Sequence, residues 1–178
     1  VNQEYTNPSV AIAYDSRNNS TEFAKITSDV FLANGIYVYL FENLRPTPEL
    51  SFAIRYLGCQ AGIMGTASHN PKEYNGYKVF WEDGAQITAP HDKNIIEEVQ
   101  KITDPSQVEK GDGLNYPQLI GAEVDKAFLD YFGKFVYWTG TTFKSFFDLP
   151  IPKECEYHHP FKAIVKAVIS LPSDCFKL

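Results

Sequence analysis

The sequence predicts an α/β fold in which a mixed β-sheet is flanked by helices. Two observations support this prediction: between residues 10 and 102, short apolar runs alternate with segments of helical periodicity, and glycines or polar clusters mark the ends of both. A strand–helix–strand order favours parallel pairing of the two strands. The chain has 178 residues, of which 44% are hydrophobic, so it can bury a large core without a disulfide or a metal.

The first strand, helix and second strand span residues 10–41. Residues 10–14 form an apolar run typical of a strand that is buried on both faces. Residues 18–21 offer oxygens that can cap a helix, and Gly35 marks the helix end. The residues at helical spacing between them are Phe23, Ile26, Thr27, Val30, Phe31 and Asn34. Residues 36–41 are rich in β-branched and aromatic side chains and predict the second strand.

A second helix and a third strand follow. Thr47 can supply a capping oxygen and Pro48 suits the first helical position, so we expect a helix that runs to Leu57 and stops before Gly58. Residues 59–63 form a short apolar run that predicts the third strand.

A hairpin and a third helix complete the regular pattern. Residues 77–81 and 85–88 flank Glu82-Asp83-Gly84, a turn sequence between two strand-like runs. A helix is expected from Pro90 onward, with an apolar stripe formed by Ile95, Ile96, Val99 and Ile102.

The pattern predicts a first domain over residues 1–104, a linker over residues 105–121 and a less regular segment over residues 122–178. The linker has Pro105, Gly111 and Gly113. The last segment begins with one helical stripe that ends at Tyr131, and we expect it to be the start of a second domain.

Charge and composition exclude several classes of function. The formal net charge of −6 has the wrong sign for a surface that attracts nucleic acid. No apolar run approaches the roughly 20 residues of a membrane-spanning helix, and no signal peptide is recognisable. Three cysteines without CxxC spacing favour reduced thiols, so a cytoplasmic location is expected. No feature of the sequence assigns an oligomeric state.

The candidate site is the loop that follows the third predicted strand. Ser68 and His69 lie in this small and polar loop, and Arg17 follows the first predicted strand. Ligands of open α/β sheets bind at the carboxyl ends of strands, and a hydroxyl near cations suits nucleophilic or phosphoryl chemistry. From residue types alone, a polar turn without a chemical role is the alternative.

Residues 66–78 have the sequence Thr66-Ala67-Ser68-His69-Asn70-Pro71-Lys72-Glu73-Tyr74-Asn75-Gly76-Tyr77-Lys78. This stretch resembles the phosphoserine loop of the α-D-phosphohexomutases, the family of phosphoglucomutases and phosphomannomutases. Earlier landmarks of the family are present in order as Tyr14-Asp15-Ser16-Arg17 and Arg45-Pro46-Thr47-Pro48. Trp81-Glu82-Asp83-Gly84-Ala85-Gln86-Ile87 is similar to the hairpin of a bacterial-type phosphoglucomutase. The resemblance implies domain 1 of a phosphohexomutase.

The resemblance also implies roles for individual residues. Ser68 would carry the phosphoryl group, with the cations of Lys78 and Arg17 beside it. His69 would help to hold the loop and the substrate. The remaining loop residues expected to shape the loop or bind substrate are Thr66, Asn70 and Asn75.

The implied activity is reversible phosphoryl transfer between C1 and C6 of glucose, through glucose 1,6-bisphosphate. The substrate would be a hexose phosphate, and Mg²⁺ would take one ligand from phosphorylated Ser68 and the others from a further domain. Phosphomannomutase and phosphopentomutase activities are the nearest alternatives, and a non-catalytic module that binds phosphosugars or a partner protein is the alternative from another class. No DGDxDR-type metal loop occurs in the chain, so we expect a fragment that turns nothing over alone.

Overall fold

A computed structural model describes residues 5–111 and 115–138. The chain divides into two compact units, Val1–Phe132 and Gly133–Leu178, and the sheet lies in the first. Its strands are β1 (Ser9–Tyr14), β2 (Tyr37–Phe41), β3 (Ala61–Gly65), β4 (Tyr77–Trp81) and β5 (Gln118–Ile120). The helices are α1 (Ser20–Ala33), α2 (Thr47–Leu57), α3 (His91–Gln100) and α4 (Ala122–Trp138), and a 3₁₀ turn spans Pro105–Gln107.

The five strands form one sheet in the order β4-β3-β1-β2-β5. Strands β3, β1, β2 and β5 are parallel, and β4 pairs with β3 in the antiparallel direction. The sheet is therefore mixed, and the predicted α/β class is confirmed. Residues 10–14 of the central strand β1 are all buried, as expected for a parallel strand covered on both faces.

Helices cover both faces of the sheet. On one face, Leu50 and Ile54 of α2 join Phe41 and Met64 of the strands in a core that is almost inaccessible to solvent. A second core on the other face contains Ile12, Val38, Leu40 and Ile63 of the strands with Ala24 of α1. The carboxyl ends of the parallel strands consequently meet at one edge of a rigid layer.

The buried stripe of helix α1 overlaps in part with the residues at helical spacing named above, because Thr27 is buried and Phe31 packs against the core. Its buried residues are Ser20, Ala24, Thr27 and Ser28, whereas Phe23 and Ile26 are 41% and 47% exposed. The small side chains of Ser20 and Ala24 allow the helix to lie close to the sheet, which explains why Phe23 and Ile26 lie outside the buried stripe. The predicted capping was wrong, because Asn19 adopts a left-handed conformation and its side chain makes no capping hydrogen bond.

The predicted helix α2 and strand β3 are both present, although their bounds differ in part from the expected ones. Helix α2 ends at Leu57, and Gly58 takes the left-handed conformation that favours glycine. Its N-cap is Pro46, so Thr47 lies inside the helix and does not cap it. Strand β3 spans Ala61–Gly65, so both of its ends lie two residues later than expected.

The predicted hairpin after β4 is reduced to one turn and one bridge. Phe80 pairs with Gln86, but residues 85–88 form no continuous strand. A Cβ at Gly84 would lie 2.5 Å from the Ser51 carbonyl oxygen, so the turn packs tightly against α2. Helix α3 is present where expected, but it has no buried residue and its Val99 is 60% exposed. Periodicity thus predicted this helix without predicting what its apolar stripe contacts.

The segment predicted as a linker contributes a strand to the sheet. Within residues 105–121, β5 pairs with β2, and Leu40 lies opposite Leu119. Val124 of α4 is 2% exposed and belongs to the same core as α2. Three residues are too few to show strand periodicity, which is why composition alone suggested a linker. The other part of the predicted second domain, residues 139–178, lies outside the described residues.

Candidate functional site

The loop between β3 and β4 presents Ser68 at the carboxyl edge of the sheet. Ser68 is exposed, and its φ of 56° is unusual for a residue other than glycine. Nζ of Lys78 donates a hydrogen bond to Oγ of Ser68 at 2.5 Å. Lys78 reaches this position because it lies on the antiparallel strand β4, opposite Met64. The structure thus brings together the hydroxyl and one of its two predicted cations.

Arg17, the other predicted cation, holds the backbone of the loop. Its side chain is only 8% exposed. Nη1 donates to the carbonyl oxygens of Asn70, Pro71 and Tyr74, at 2.7, 2.9 and 3.2 Å. Nη2 donates to the carbonyl oxygen of Ser68 itself. Planar guanidinium groups suit several fixed acceptors at once, so Arg17 fixes the path of the loop around Ser68.

Asp15 is the residue that sequence reasoning missed. Its carboxylate accepts from Nε of Arg17 at 3.0 Å and from Oγ1 of Thr66 at 2.6 Å. The Thr66 hydroxyl in turn accepts from the backbone N–H of Ser68 at 3.1 Å. Asp15 therefore orients both side chains that hold Ser68. The available signal was its position directly after a buried strand, two residues before Arg17.

Asn75 joins the far end of the loop to the start of α1. Its Nδ2 donates to Oγ of Ser20 at 2.8 Å and to the carbonyl oxygen of Asn18 at 3.2 Å. Its Oδ1 accepts from the backbone N–H of Gly76 at 2.9 Å. The loop is consequently attached to α1 as well as to the strands.

The His69 and Asn70 side chains point to no partner within residues 5–111 and 115–138. Both residues are exposed, and neither side chain has a hydrogen bond there. Asn70 acts through its backbone instead, because its N–H donates to Ala67 and its carbonyl accepts from Arg17. Of the predicted residues, these two are therefore placed at the loop surface.

A second polar cluster lies where the loop after β2 meets α2 and α4. Arg45 makes a two-pronged contact with Asp125, in which both nitrogen–oxygen distances are 2.7 Å. Oε1 of the buried Glu49 lies 3.6 Å from Nε of Arg45 and has no hydrogen bond in the described part of the chain. Burial, and then the hydrogen bond with Asp125, raise the pKa of Glu49 to about 8. Although burial opposes it, the bond to Arg45 lowers the pKa of Asp125.

This arrangement neutralises two carboxyl groups with one guanidinium and one proton. The hydrogen bond to Asp125 raises the pKa of Arg45, so the cation is retained. In the sequence, Arg45 is recognisable only as part of the motif Arg45-Pro46-Thr47-Pro48. Glu49 and Asp125 gave no signal, because residues 76 positions apart meet only through the fold.

Neither a clustered metal site nor a membrane-spanning helix occurs in the described part of the chain. Within residues 5–111 and 115–138, no group of three or more His, Cys, Asp or Glu side chains could hold a metal ion. The helices of the same ranges include none with the length and hydropathy needed to cross a bilayer.

Together, the sheet and its carboxyl-edge loop define an α/β/α domain that exposes a serine beside a lysine. The chain belongs to the phosphoglucomutase/phosphomannomutase family, because residues 1–106 match the model of the family's alpha/beta/alpha domain I. The resemblance stated from the sequence is therefore confirmed.

Individual relatives agree with this assignment. The phosphoglucomutase of Staphylococcus aureus strain MRSA252 is 46% identical over 109 residues, which cover 61% of this chain and 20% of that protein. The phosphoglucomutase of strain bovine RF122 / ET3-1 has the same identity and coverage. The chain thus spans about a fifth of the length of these curated relatives.

Solved structures show the same fold. A Thermus thermophilus protein assigned as a phosphomannomutase is 33% identical, with a TM-score of 0.56, and the match covers 64% of this chain and 25% of that one. A family member from Burkholderia thailandensis matches with a TM-score of 0.52, over 69% of this chain and 26% of that one. Because its sequence is only 24% identical to this chain, the match supports a similar fold and nothing more.

Proposed function

We propose that this chain is the phosphoserine-bearing part of a phosphoglucomutase, and that Ser68 carries the phosphoryl group. The whole enzyme would transfer phosphate reversibly between C1 and C6 of glucose, through glucose 1,6-bisphosphate. One observation carries the proposal: an exposed Ser68 hydroxyl accepts a hydrogen bond from Lys78 on a loop that Arg17 holds from behind. The 46% identity to phosphoglucomutases supports glucose phosphate as the substrate.

Lys78 would act on the oxygen that the phosphoryl group leaves and rejoins. When a sugar hydroxyl attacks phosphorylated Ser68, the bond from phosphorus to Oγ breaks and a new bond to the sugar oxygen forms. The sugar hydroxyl loses its proton to solvent, and Oγ gains one from Lys78, which solvent then reprotonates. The ammonium of Lys78 already donates to Oγ, so it can supply that proton and offset the negative charge of the phosphoryl oxygens.

Arg17, Asp15 and Thr66 would act by position. Phosphoryl transfer needs little covalent chemistry from a protein and depends on alignment and charge. The guanidinium of Arg17 donates to loop carbonyls and to Asp15, so we assign it to the geometry of Ser68 and leave direct contact with Oγ to Lys78. This narrows the role that the resemblance implied for Arg17.

The exposed side chains of His69 and Asn70 face the side from which a substrate would arrive. We propose His69 as a substrate contact, because it directly follows Ser68 in the loop and its exposed imidazole has no partner in the described residues. Asn75 and the backbone of Asn70 would keep the loop in shape.

Enzymes of this family generally use Mg²⁺. The described residues do not form a complete site for it, since no cluster of acids or histidines accompanies Ser68 there. Phosphorylated Ser68 would supply one oxygen ligand to the ion, and the other ligands would come from a further domain. A hexose phosphate partner and a cytoplasmic location complete the proposal.

Phosphomannomutase activity is the second candidate. The Thermus thermophilus structure, 33% identical to this chain, favours it. The hydroxyl of Ser68 and the cation of Lys78 do not distinguish the configurations of glucose and mannose, so this part of the molecule would suit either sugar phosphate.

Intact-mass measurement tests the role of Ser68. The chain and its Ser68→Ala variant would be incubated with glucose 1,6-bisphosphate, and Ser16→Ala, another exposed serine, would serve as the matched control. We expect one phosphoryl adduct in the wild type and in Ser16→Ala, and none in Ser68→Ala. An adduct that persists in Ser68→Ala, or one that is lost in Ser16→Ala to the same extent, would reject Ser68 as the carrier.

A further inference from the structure

A cavity of about 230 Å³ lies beneath the Ser68 loop, between α1 and the sheet. Ile12 and Ile63 form its floor, and Ala24 and Thr27 of α1 form one wall. Tyr77 forms the opposite wall. Phe23 and Tyr77 are 41% and 58% exposed, so the cavity has its entrance between these two rings.

The polar groups around this cavity already have partners. Oγ1 of Thr27 donates to the carbonyl oxygen of Phe23 at 2.7 Å and contacts the hydroxyl of Tyr77. The side-chain amide of Asn75 is engaged with Ser20, Asn18 and Gly76. The lining is otherwise almost wholly apolar, so water in the cavity makes fewer hydrogen bonds than in bulk solvent. Enclosed apolar cavities of about 150 Å³ bind benzene-sized molecules, and this cavity, which opens to solvent, has room for a molecule of that size.

We propose that this cavity is a binding site for a small, neutral, apolar molecule of the monocyclic hydrocarbon class. A sugar phosphate does not suit this cavity, because no cationic side chain is among the residues that line it. The site is thus separate from the Ser68 hydroxyl and does not depend on the proposed function.

Occupancy of the cavity would also act on the Ser68 loop. Gly65 and Gly76 line the cavity, and they are the residues at the two ends of the loop, where N–H of Thr66 donates to the Gly76 carbonyl at 3.0 Å. A molecule that separates α1 from Tyr77 would strain the Asn75 contact with Ser20. We therefore expect binding to change the environment of Thr66 and Ser68.

Amide NMR spectra of the chain, recorded during a titration with toluene, test both parts of the proposal. We expect saturable shifts at Ala24, Thr27 and Ile63, and smaller shifts at Thr66 and Ser68 with the same midpoint. Shifts that do not saturate would overturn the binding site. Saturable shifts that leave Thr66 and Ser68 unmoved would overturn the coupling to the loop.

Two variants test whether toluene binds in this cavity. Ala24→Leu fills the space from α1 and is expected to weaken binding by about tenfold or more, whereas Ala122→Leu, an exposed alanine at the start of α4, should leave it unchanged. Phe23→Ala removes one of the two rings at the entrance and should weaken binding by about threefold or more. Because Phe23 is half-exposed, we expect the fold to tolerate this change. Unchanged affinity in Phe23→Ala, or in a folded Ala24→Leu, would overturn the assignment.

Discussion

Nζ of Lys78 lies 2.5 Å from Oγ of Ser68, although the two residues belong to different elements. Ser68 is on a loop in the left-handed conformation, and Lys78 is on a regular strand whose register is fixed by five pairs with β3. The positive charge of Lys78 therefore lies on a regular strand, and the hydroxyl of Ser68 lies on the loop. This division matches a site where charge must be in place before the reaction begins.

Replacement of Lys78 by Gln should slow phosphorylation of Ser68 by about 100-fold. The change removes a cation placed at the reacting oxygen, and removal of one such group from an active site costs roughly 10²–10³ in rate. The time course of the phosphoryl adduct with glucose 1,6-bisphosphate measures the effect. Lys126→Gln is the control, because Lys126 is an exposed lysine whose partner among the described residues is Asp130, and its rate should equal that of the wild type. Equal rates in Lys78→Gln and Lys126→Gln would contradict the role given to Lys78.

Replacement of Asp15 by Asn should loosen the loop without removing any group that touches Ser68 Oγ. The variant loses the charged acceptor for Arg17 and Thr66, and we expect a loss of about 1–3 kcal/mol in the free energy of unfolding. Faster hydrogen exchange at the Ser68 amide, which donates to Thr66, should accompany it. Urea denaturation and exchange measurements check the two effects.

Asp29→Asn is the control for this prediction, since Asp29 is exposed on α1. It should leave both measurements unchanged. Protection of the Ser68 amide that is the same in both variants would show that Asp15 does not position the loop.

The loop was predictable from the sequence, whereas the contacts that hold it were not. The residue types of the loop are contiguous, so their chemistry could be recognised before their positions were known. The hydrogen bond from Thr66 to Asp15 depends on the pairing of β1 with β3, in which Tyr14 lies opposite Gly65. The separation of 51 residues along the chain carries no signal of such a register.

Contacts between residues far apart in the chain also explain the other features that the sequence did not predict. Helix α1 is present as the spacing predicted, but its buried stripe also contains the small residues Ser20 and Ala24, which the spacing did not single out. The cluster of Arg45, Glu49 and Asp125 exists only because a three-residue strand places α4 beside α2. Elements that are short, or that pack through small residues, leave little periodicity in the sequence.

The proton shared by Glu49 and Asp125 predicts how stability changes with pH. The pKa of Glu49 in the fold is about 8, above its usual 4.5, so the folded chain holds a proton that the unfolded chain has lost. The free energy of unfolding should therefore fall as pH rises from about 5 to 8. Asp125 has the opposite sign: its pKa is lowered, so its contribution is lost below its usual 3.8.

Glu49→Gln replaces the protonated carboxyl by a neutral group of the same shape. The fall in the free energy of unfolding between pH 5 and 8 should become smaller than in the wild type, as measured by urea denaturation at both pH values. Glu97→Gln on α3 is the control, because Glu97 is exposed, and it should keep the wild-type difference. A pH dependence that is unchanged by Glu49→Gln would show that Glu49 is ionised in the fold.

The position of Val124 predicts whether the beginning of α4 stabilises the same sheet as α2. Val124 is 2% exposed in the core that contains Phe41 and Leu50, so Val124→Ala should reduce the free energy of unfolding by about 2 kcal/mol. Leu129 is 55% exposed on the same helix, and Leu129→Ala should change it by less than about 0.5 kcal/mol. Urea denaturation of the two variants gives the comparison. Similar values for both would mean that residues after 121 stabilise a separate unit, as the sequence alone suggested, and that the ion pair between Arg45 and Asp125 does not fix α4 on this sheet.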